Sequence, residues 1–353
     1  MKLKQFDEKP YNGFLIVLLA LLKATQQNEA DTENEDIEQA IEMFKQDRRF
    51  GRHATNIYLA SLTFTKSQVA DCMEIEPEDI LDSWLKDDVA ELCPNFVLFL
   101  DHQNSEVVLV IRGTLSVNDV ITDVLCEEEE FLGGFAHKGF VDGTTRLLEK
   151  CGPTLEDTLK DHSDYKLVVC GHSMGGSVSV LTTMLLLSED PPVSLPAEVS
   201  VQCVALAPAP VYRGLEEEYT AKIAEKIHVY TYGKDVVPRL SLGSVAKMLV
   251  MLRAVDELGI SLEEQLRVVM GKEDSLAEIN RERIREAVAE AKQDRFPYLY
   301  HVGKVMQLGK KDVRTQDVDL TKNLATNIEI TDTMLTDHMP LEYKEIFCNL
   351  FTS

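Results

Sequence analysis

The chain has 353 residues, enough to bury the core of one large α/β domain or of two smaller ones. At 44% hydrophobic and 27% charged residues it is neither an extended disordered chain nor a membrane bundle. With 60 acidic residues against 36 basic, its net charge of −24 repels phosphate backbones and anionic bilayers, which excludes a nucleic-acid binder.

In chain order, the first feature is "FLIVLLALL", residues 14–22. Nine apolar residues are too few to cross a bilayer as a helix. Asp7 and Glu8 precede the run and no small-x-small cleavage pattern follows, so it reads as a buried helix rather than a signal peptide. Shallow membrane attachment is the competing reading. Residues 1–94 read as a helical segment that packs on the core. Ile37, Ile41 and Phe44 keep helical spacing, Ile57, Leu59 and Leu62 continue it loosely, and the acidic "NEADTENEDIE" before them reads as a solvated loop. "EPEDILDSWL" predicts one more helix, with Pro77 in its first turn and Ile80, Leu81, Trp84 and Leu85 on one side.

At residue 95 the period changes. "NFVLFLD" and "EVVLVIRG", joined by "HQNS", predict an antiparallel hairpin. "YKLVVCG", "VSVQCVALA", "KIHVYTYG" and "YHVGKVMQL" are short, apolar and β-rich, with room for crossover helices between them. These features predict an α/β fold over 95–353, a mixed, mostly parallel sheet covered by helices on both faces. Residues 241–297 add more helix than a crossover needs, with Leu252, Val255, Ile279 and Ile284 among the apolar positions. That insertion is either an ordinary packed excursion or a cap or regulatory flap. The seven cysteines (Cys72, Cys93, Cys126, Cys151, Cys170, Cys203 and Cys348) form no Cys-x-x-Cys pair and read as reduced, in an intracellular and cytoplasmic protein.

The stretch with most chemical content is "VVCGHSMGGSVSVL". An apolar strand runs through Gly-x-Ser-x-Gly into a helix, the context a nucleophile elbow requires. Gly171 and Gly175 clear the space around Ser173, and the helix N-terminus beneath it favours developing negative charge. A serine hydroxyl needs a histidine to take its proton and a carboxylate to orient that histidine. In this architecture the order is serine, acid, histidine. His301 and His338 follow the loops that carry the acid. His301 opens a strand and should be tied into the sheet or its edge, whereas His338, in the turn before Pro340, is the better base. Asp235, at the end of "HVYTYGKD", is the best-placed acid. The amides of Thr114, where "VIRGTLS" leaves its strand, and of Met174 after the serine are candidates for an oxyanion hole.

These residues resemble the class 3 (fungal-type) lipase family, especially its diacylglycerol-lipase-like branch. The resemblance rests on "VLVIRGTLSVNDVITDV", "HKGF", "VVCGHSMGGSVSVL", "YTYGKDVVPRL", "YHVGKV" and "TDHMPLEY", found in the family's order across about two thirds of the chain. It implies an α/β-hydrolase fold, a triad of Ser173, Asp235 and His338, and an oxyanion hole of Thr114 and Met174, with no metal or organic cofactor. It also implies a lid in 115–135, where Glu127 to Glu130 read equally well as a solvated acidic turn, structural roles for Asp119 and Asp123, and a regulatory loop in the place of 241–297. "ALAPAP" departs from the Ser-Pro-Arg-type turn of many members, and the four-helix membrane domain of animal diacylglycerol lipases has no counterpart in this sequence. The expected activity is a serine lipase or esterase cleaving mono- or diacylglycerol through an acyl-enzyme, with phospholipase A1 chemistry as a variant. The expected partners are a lipid ester and a peripheral membrane or lipid-droplet surface. The alternative is a non-catalytic lipase-like scaffold that binds lipid or a signalling partner.

Overall fold

The computed structural model describes residues 37–85, 93–114, 127–214, 223–270, 275–291, 296–316 and 318–351, together with residues 20 and 221. The apolar run 14–22, apart from residue 20, lies outside the described residues, as do Asp119, Asp123 and Cys126. The chain forms two compact units. The larger one comprises 33–244, 297–328 and 332–353.

Its centre is an eight-stranded sheet in the order β1-β2-β3-β6-β7-β9-β10-β11. The strands are β1 (Ile80–Trp84), β2 (Phe96–Asp101), β3 (Glu106–Ile111), β6 (Lys166–His172), β7 (Val201–Leu206), β9 (Ile227–Tyr232), β10 (Lys304–Leu308) and β11 (Val313–Thr315). Pairing from β3 through β10 is parallel, and β1, β2 and β11 add antiparallel edges. All six strands expected after residue 95 are present. β3 is buried along its whole length, as a strand covered on both faces must be. A second sheet of three short strands, β4 (Glu128–Phe131), β5 (Gly134–His137) and β8 (Tyr212–Arg213), stands apart from the first.

Three expectations need correction. "EPEDILDSWL" is not a helix: after one 3-10 turn at Pro77–Asp79 it becomes β1 and pairs with β2. The pairing satisfies its backbone along the sheet edge, a tertiary gain that local propensity does not reveal. The acidic residues before Phe131 are not a turn either. Glu128, Glu129 and Glu130 lie in β4, where Glu128 pairs with Arg213 at 2.8 Å and Glu129 with Lys138 at 3.1 Å. Of the expected lid 115–135, residues 115–126 lie outside the described residues and the remainder is this β4–β5 hairpin.

The third correction concerns α1 (Ile37–Ala60), whose helical state follows the expected spacing but whose buried stripe follows it only in part. Ile37, Leu59 and Leu62 are exposed; the expected Phe44 and Ile57 are buried, and Ala40, Asp47, Phe50 and Ala54 complete the stripe on which the helix rests. This stripe recurs every three or four residues and packs with Val97, Phe99, Val108, Val110, Val168 and Tyr230 of the sheet. Asp47 belongs to it because its charge is partnered inside: His228 Nδ1 lies 2.5 Å from Oδ2, Tyr230 donates to the same oxygen at 2.8 Å, and Gln202 donates to Oδ1 at 2.8 Å. α2 (Lys66–Met73), capped by a reciprocal Thr65–Gln68 box, continues the cover. The opposite face carries α3 (Lys138–Asp161) and α4 (Met174–Leu186).

The smaller unit takes in 245–296 and 329–331. Helices α5 (Leu242–Glu257), α6 (Leu262–Val269) and α7 (Ser275–Ala291) span this region. Met251, Leu252, Val255, Ile260, Val268, Ala277 and Ile284 form a core separate from that of the sheet. The chain then returns through β10 and β11 to α8 (Val318–Thr326) and α9 (Pro340–Asn349).

Candidate active site

β6 is buried from Leu167 to His172, and the chain then reverses at Ser173 into α4. Ser173 has φ 61° and ψ −128°, a strained backbone for a residue with a Cβ. The turn is held from both sides: Ser173 N–H donates to the Leu206 carbonyl of β7 at 2.8 Å, and the Ser173 carbonyl accepts from Ser177 N–H at 3.0 Å. Such a turn needs bare backbone beside it. A Cβ on Gly175 would run into the Ile111 carbonyl, and one on Gly171 would lie 2.5 Å from the Gly175 backbone. The divergent "ALAPAP" stretch is buried here, with Ala209 N–H donating to Ser177 Oγ at 2.9 Å.

Asp235 sits just past β9, where its N–H donates to the Tyr232 carbonyl at 3.0 Å and its Oδ1 accepts the Val237 N–H at 2.9 Å. His338 lies in the turn before α9. Asp337 ties that turn to the acid's loop by accepting the Lys234 N–H at 2.8 Å and the Thr333 hydroxyl at 2.9 Å. Three residues far apart in sequence therefore meet at the carboxyl ends of the parallel strands. The Ser173 hydroxyl donates to His338 Nε2 at 2.9 Å. His338 Nδ1–H donates to Asp235, 3.0 Å from both oxygens. All three side chains are buried. Beside them, Thr114 Oγ1 contacts Met174 Sδ at 3.5 Å, and a Cβ on Gly113 would lie 3.0 Å from Ser173 Cβ. The strand end carrying Thr114 thus abuts the serine.

His301, the rejected base, precedes β10. Its Nε2 hydrogen-bonds the Pro238 carbonyl at 2.8 Å, and burial pushes its pKa down to about 4.

Sequence reasoning missed two groups around the triad. Tyr343 on α9 donates to Asp235 Oδ2 at 2.8 Å and accepts the Tyr232 N–H at 2.9 Å. Burial, with the Asp235 charge second, holds its phenol well above the usual range, so it stays a donor. The ring of His172 stacks on that of His338, with centroids 4.9 Å apart and planes at 30°. His172 was visible as the residue before the serine. Tyr343 was visible only as the last letter of "TDHMPLEY".

The model of the lipase (class 3) family matches residues 108–244, which hold Ser173, Asp235, Thr114 and Met174. That segment belongs to the class 3 lipases. Diacylglycerol lipase-beta of Mus musculus is 30% identical over 178 residues, 48% of this chain and 24% of that protein. Secreted mono- and diacylglycerol lipase A of Penicillium cyclopium is 26% identical over 189 residues, covering 50% of this chain and 56% of that one. The chain therefore aligns with only part of these relatives. Among solved structures, MDLA of Penicillium cyclopium superposes with a TM-score of 0.53 at 18% identity, over 87% of this chain and 96% of that one. A triacylglycerol lipase, described as having a serine protease triad at its catalytic centre, gives 0.50 at 13% identity over 88% and 95%. Both likenesses show the fold alone, an α/β-hydrolase fold.

Proposed function

We propose that the chain is a serine ester hydrolase cleaving fatty-acyl esters of mono- or diacylglycerol. The observation that carries this reading is the continuous Ser173–His338–Asp235 hydrogen-bond chain at the strained turn. Ser173 Oγ attacks the ester carbonyl while its proton passes to His338 Nε2, and Asp235 stabilises the imidazolium that forms. The amides of Thr114 and Met174, with the Thr114 hydroxyl, receive the developing oxyanion. The glycerol oxygen leaves with the proton from His338, and the acyl group stays on Ser173. Water, deprotonated by the same imidazole, then releases the fatty acid and restores the serine. No step calls for a metal or an organic cofactor.

Mono- or diacylglycerol as substrate rests on the named activities of the Mus musculus and Penicillium relatives. Contact with an uncharged lipid surface is supported by Leu335, Met339 and Leu341, exposed on either side of His338, and by a net charge that disfavours anionic bilayers. A cytoplasmic, reducing location is supported by Cys72, Cys93, Cys151, Cys170, Cys203 and Cys348 all carrying free thiols. The insertion 241–297 has a hydrophobic core of its own, and the packing of α1 and α2 on the sheet supports reading the N-terminal segment as part of the catalytic domain's cover.

Labelling with a fluorophosphonate probe tests the reading. Wild type takes up one label per chain and Ser173→Ala none, and turnover on a panel of mono-, di- and triacylglycerols and phospholipids ranks the substrates. Equal labelling of both proteins refutes the catalytic role and favours a non-catalytic scaffold.

A further inference from the structure

The triad leaves one contact unexplained. A ring hydrogen-bonded at both nitrogens, as His338 is, can still rock about the line joining them, because neither bond resists that motion. What opposes it is the ring lying on its face, His172. His172 is buried, and Tyr343 meets it edge-on at 5.1 Å. Its Nδ1 lies 3.0 Å from the hydroxyl of Tyr58. Tyr58 belongs to α1, well before the class 3 segment begins at residue 108.

Proton bookkeeping fixes the direction of these bonds. Burial, with His338 second, pushes the His172 pKa well below its usual value, so the ring is neutral and one nitrogen is an acceptor. The Tyr58 oxygen accepts from the Gly113 backbone and fills the space a Cβ on Gly113 would need. The Tyr58 O–H therefore donates to His172 Nδ1, and the His172 proton resides on Nε2. That nitrogen faces the His338 carbonyl outside good hydrogen-bond geometry. One phenol thus touches both halves of the site, the ring beneath the base and the strand end leading to Thr114.

We propose that Tyr58 is a positioning residue for ester hydrolysis, acting through His172 to hold the tilt of His338 and through Gly113 to hold the approach to Thr114. The proposal rests on the hydrolase reading above. Its second consequence is electrostatic. The groups facing His172 are Tyr58 from α1, with Arg112 acting on that phenol, His338 from its turn and Tyr343 from α9. None of these is an anion touching the ring. A proton on His172 would put a cation against the imidazolium that His338 becomes during attack. The Tyr58 O–H opposes this by occupying the Nδ1 lone pair. Without it, Nδ1 is a bare buried acceptor that gains from binding a proton.

The test is Tyr58→Phe assayed on 4-nitrophenyl butyrate across pH. We expect kcat to fall about tenfold with KM within about twofold. The acid limb of kcat moves to higher pH. Fluorophosphonate labelling slows but still reaches one per chain. In a His172→Phe background, which keeps a ring face but no titrating nitrogen, Tyr58→Phe should change kcat less than about twofold and leave the acid limb in place. A wild-type kcat and acid limb in Tyr58→Phe overturns the proposal, and so does the same loss in both backgrounds. If Tyr58→Phe does not fold, 3-fluorotyrosine at position 58 keeps the shape with a stronger donor and should lower the acid limb; an unmoved limb has the same force. Wild type lacking Ser173-dependent turnover defeats the hydrolase reading instead. The positioning claim is then read from the His338 imidazole titration by NMR, which 3-fluorotyrosine must shift if the claim stands.

Discussion

The Tyr343 hydroxyl spans Asp235 and the backbone of Tyr232, donating to the first at 2.8 Å and accepting from the second at 2.9 Å. With Val237 N–H on Oδ1 and His338 Nδ1–H across both oxygens, the buried carboxylate has a donor on each side. Those donors satisfy its oxygens without solvent. Tyr343→Phe removes one donor and leaves the Tyr232 N–H unpaired. We expect a stability loss of about 1–3 kcal/mol by urea denaturation. Turnover should fall far less than the roughly 10⁴-fold expected for Asp235→Asn, because the tautomer-fixing bond to His338 survives.

The choice of base separates cleanly. His338→Ala and Asp235→Asn should each cost several orders of magnitude in kcat with the fold retained. His301→Ala breaks only the bond to the Pro238 carbonyl. It should leave kcat near wild type and lower the denaturation midpoint. Turnover lost with His301→Ala and kept with His338→Ala would reverse the assignment.

Gly175→Ala tests the turn itself. The added Cβ meets the Ile111 carbonyl and the Arg112 backbone, and neither is a flexible side-chain tip. A destabilisation of about 1–3 kcal/mol or more is expected, with slowed fluorophosphonate labelling as Ser173 moves. Wild-type labelling and stability would mean that the close packing of strand on helix is not needed.

Acid stability follows from two buried histidines outside the triad. Burial is the main cause that lowers His53, packed edge-on against Phe99, and His301 from 6.5 to about 4. Between those values the unfolded chain binds more protons than the native one. Stability is therefore full above about pH 6.5 and declines as pH drops through 4, by on the order of 3 kcal/mol per group at most. His53→Leu removes one titration, so its midpoint should fall less steeply with acid than that of wild type.

The site was legible where chemistry dictates sequence order. Ser173, Asp235 and His338 were selected by a turn, a strand end and chain order, and they are hydrogen-bonded to one another. The sheet was legible because β3 is buried along its whole length and β6, β7 and β9 are buried at every position but one. What stayed hidden was settled by partners distant in the chain. Asp47 carries no local sign of burial, and only Gln202, His228 and Tyr230, distant in sequence, give it its partners. Ile80 to Trp84 read as a helix until β2 lies alongside. Tyr58 carries no local signal, because its role depends on β3 and β6 ending beside it.

The matched family segment starts at residue 108, yet Phe44, Phe50 and Ile57 of α1 cover the sheet behind it, and Asp47 is buried at strands β7 and β9. Any recombinant fragment trimmed to the matched segment would expose Val108, Val110 and Val168 to water and strand the Tyr230 phenol without its acceptor. Such a fragment should be insoluble, whereas one beginning before residue 37 should be monodisperse. The smallest heritable piece of this fold is thus larger than its signature, and gene fusions or truncations that respect only the signature would break it.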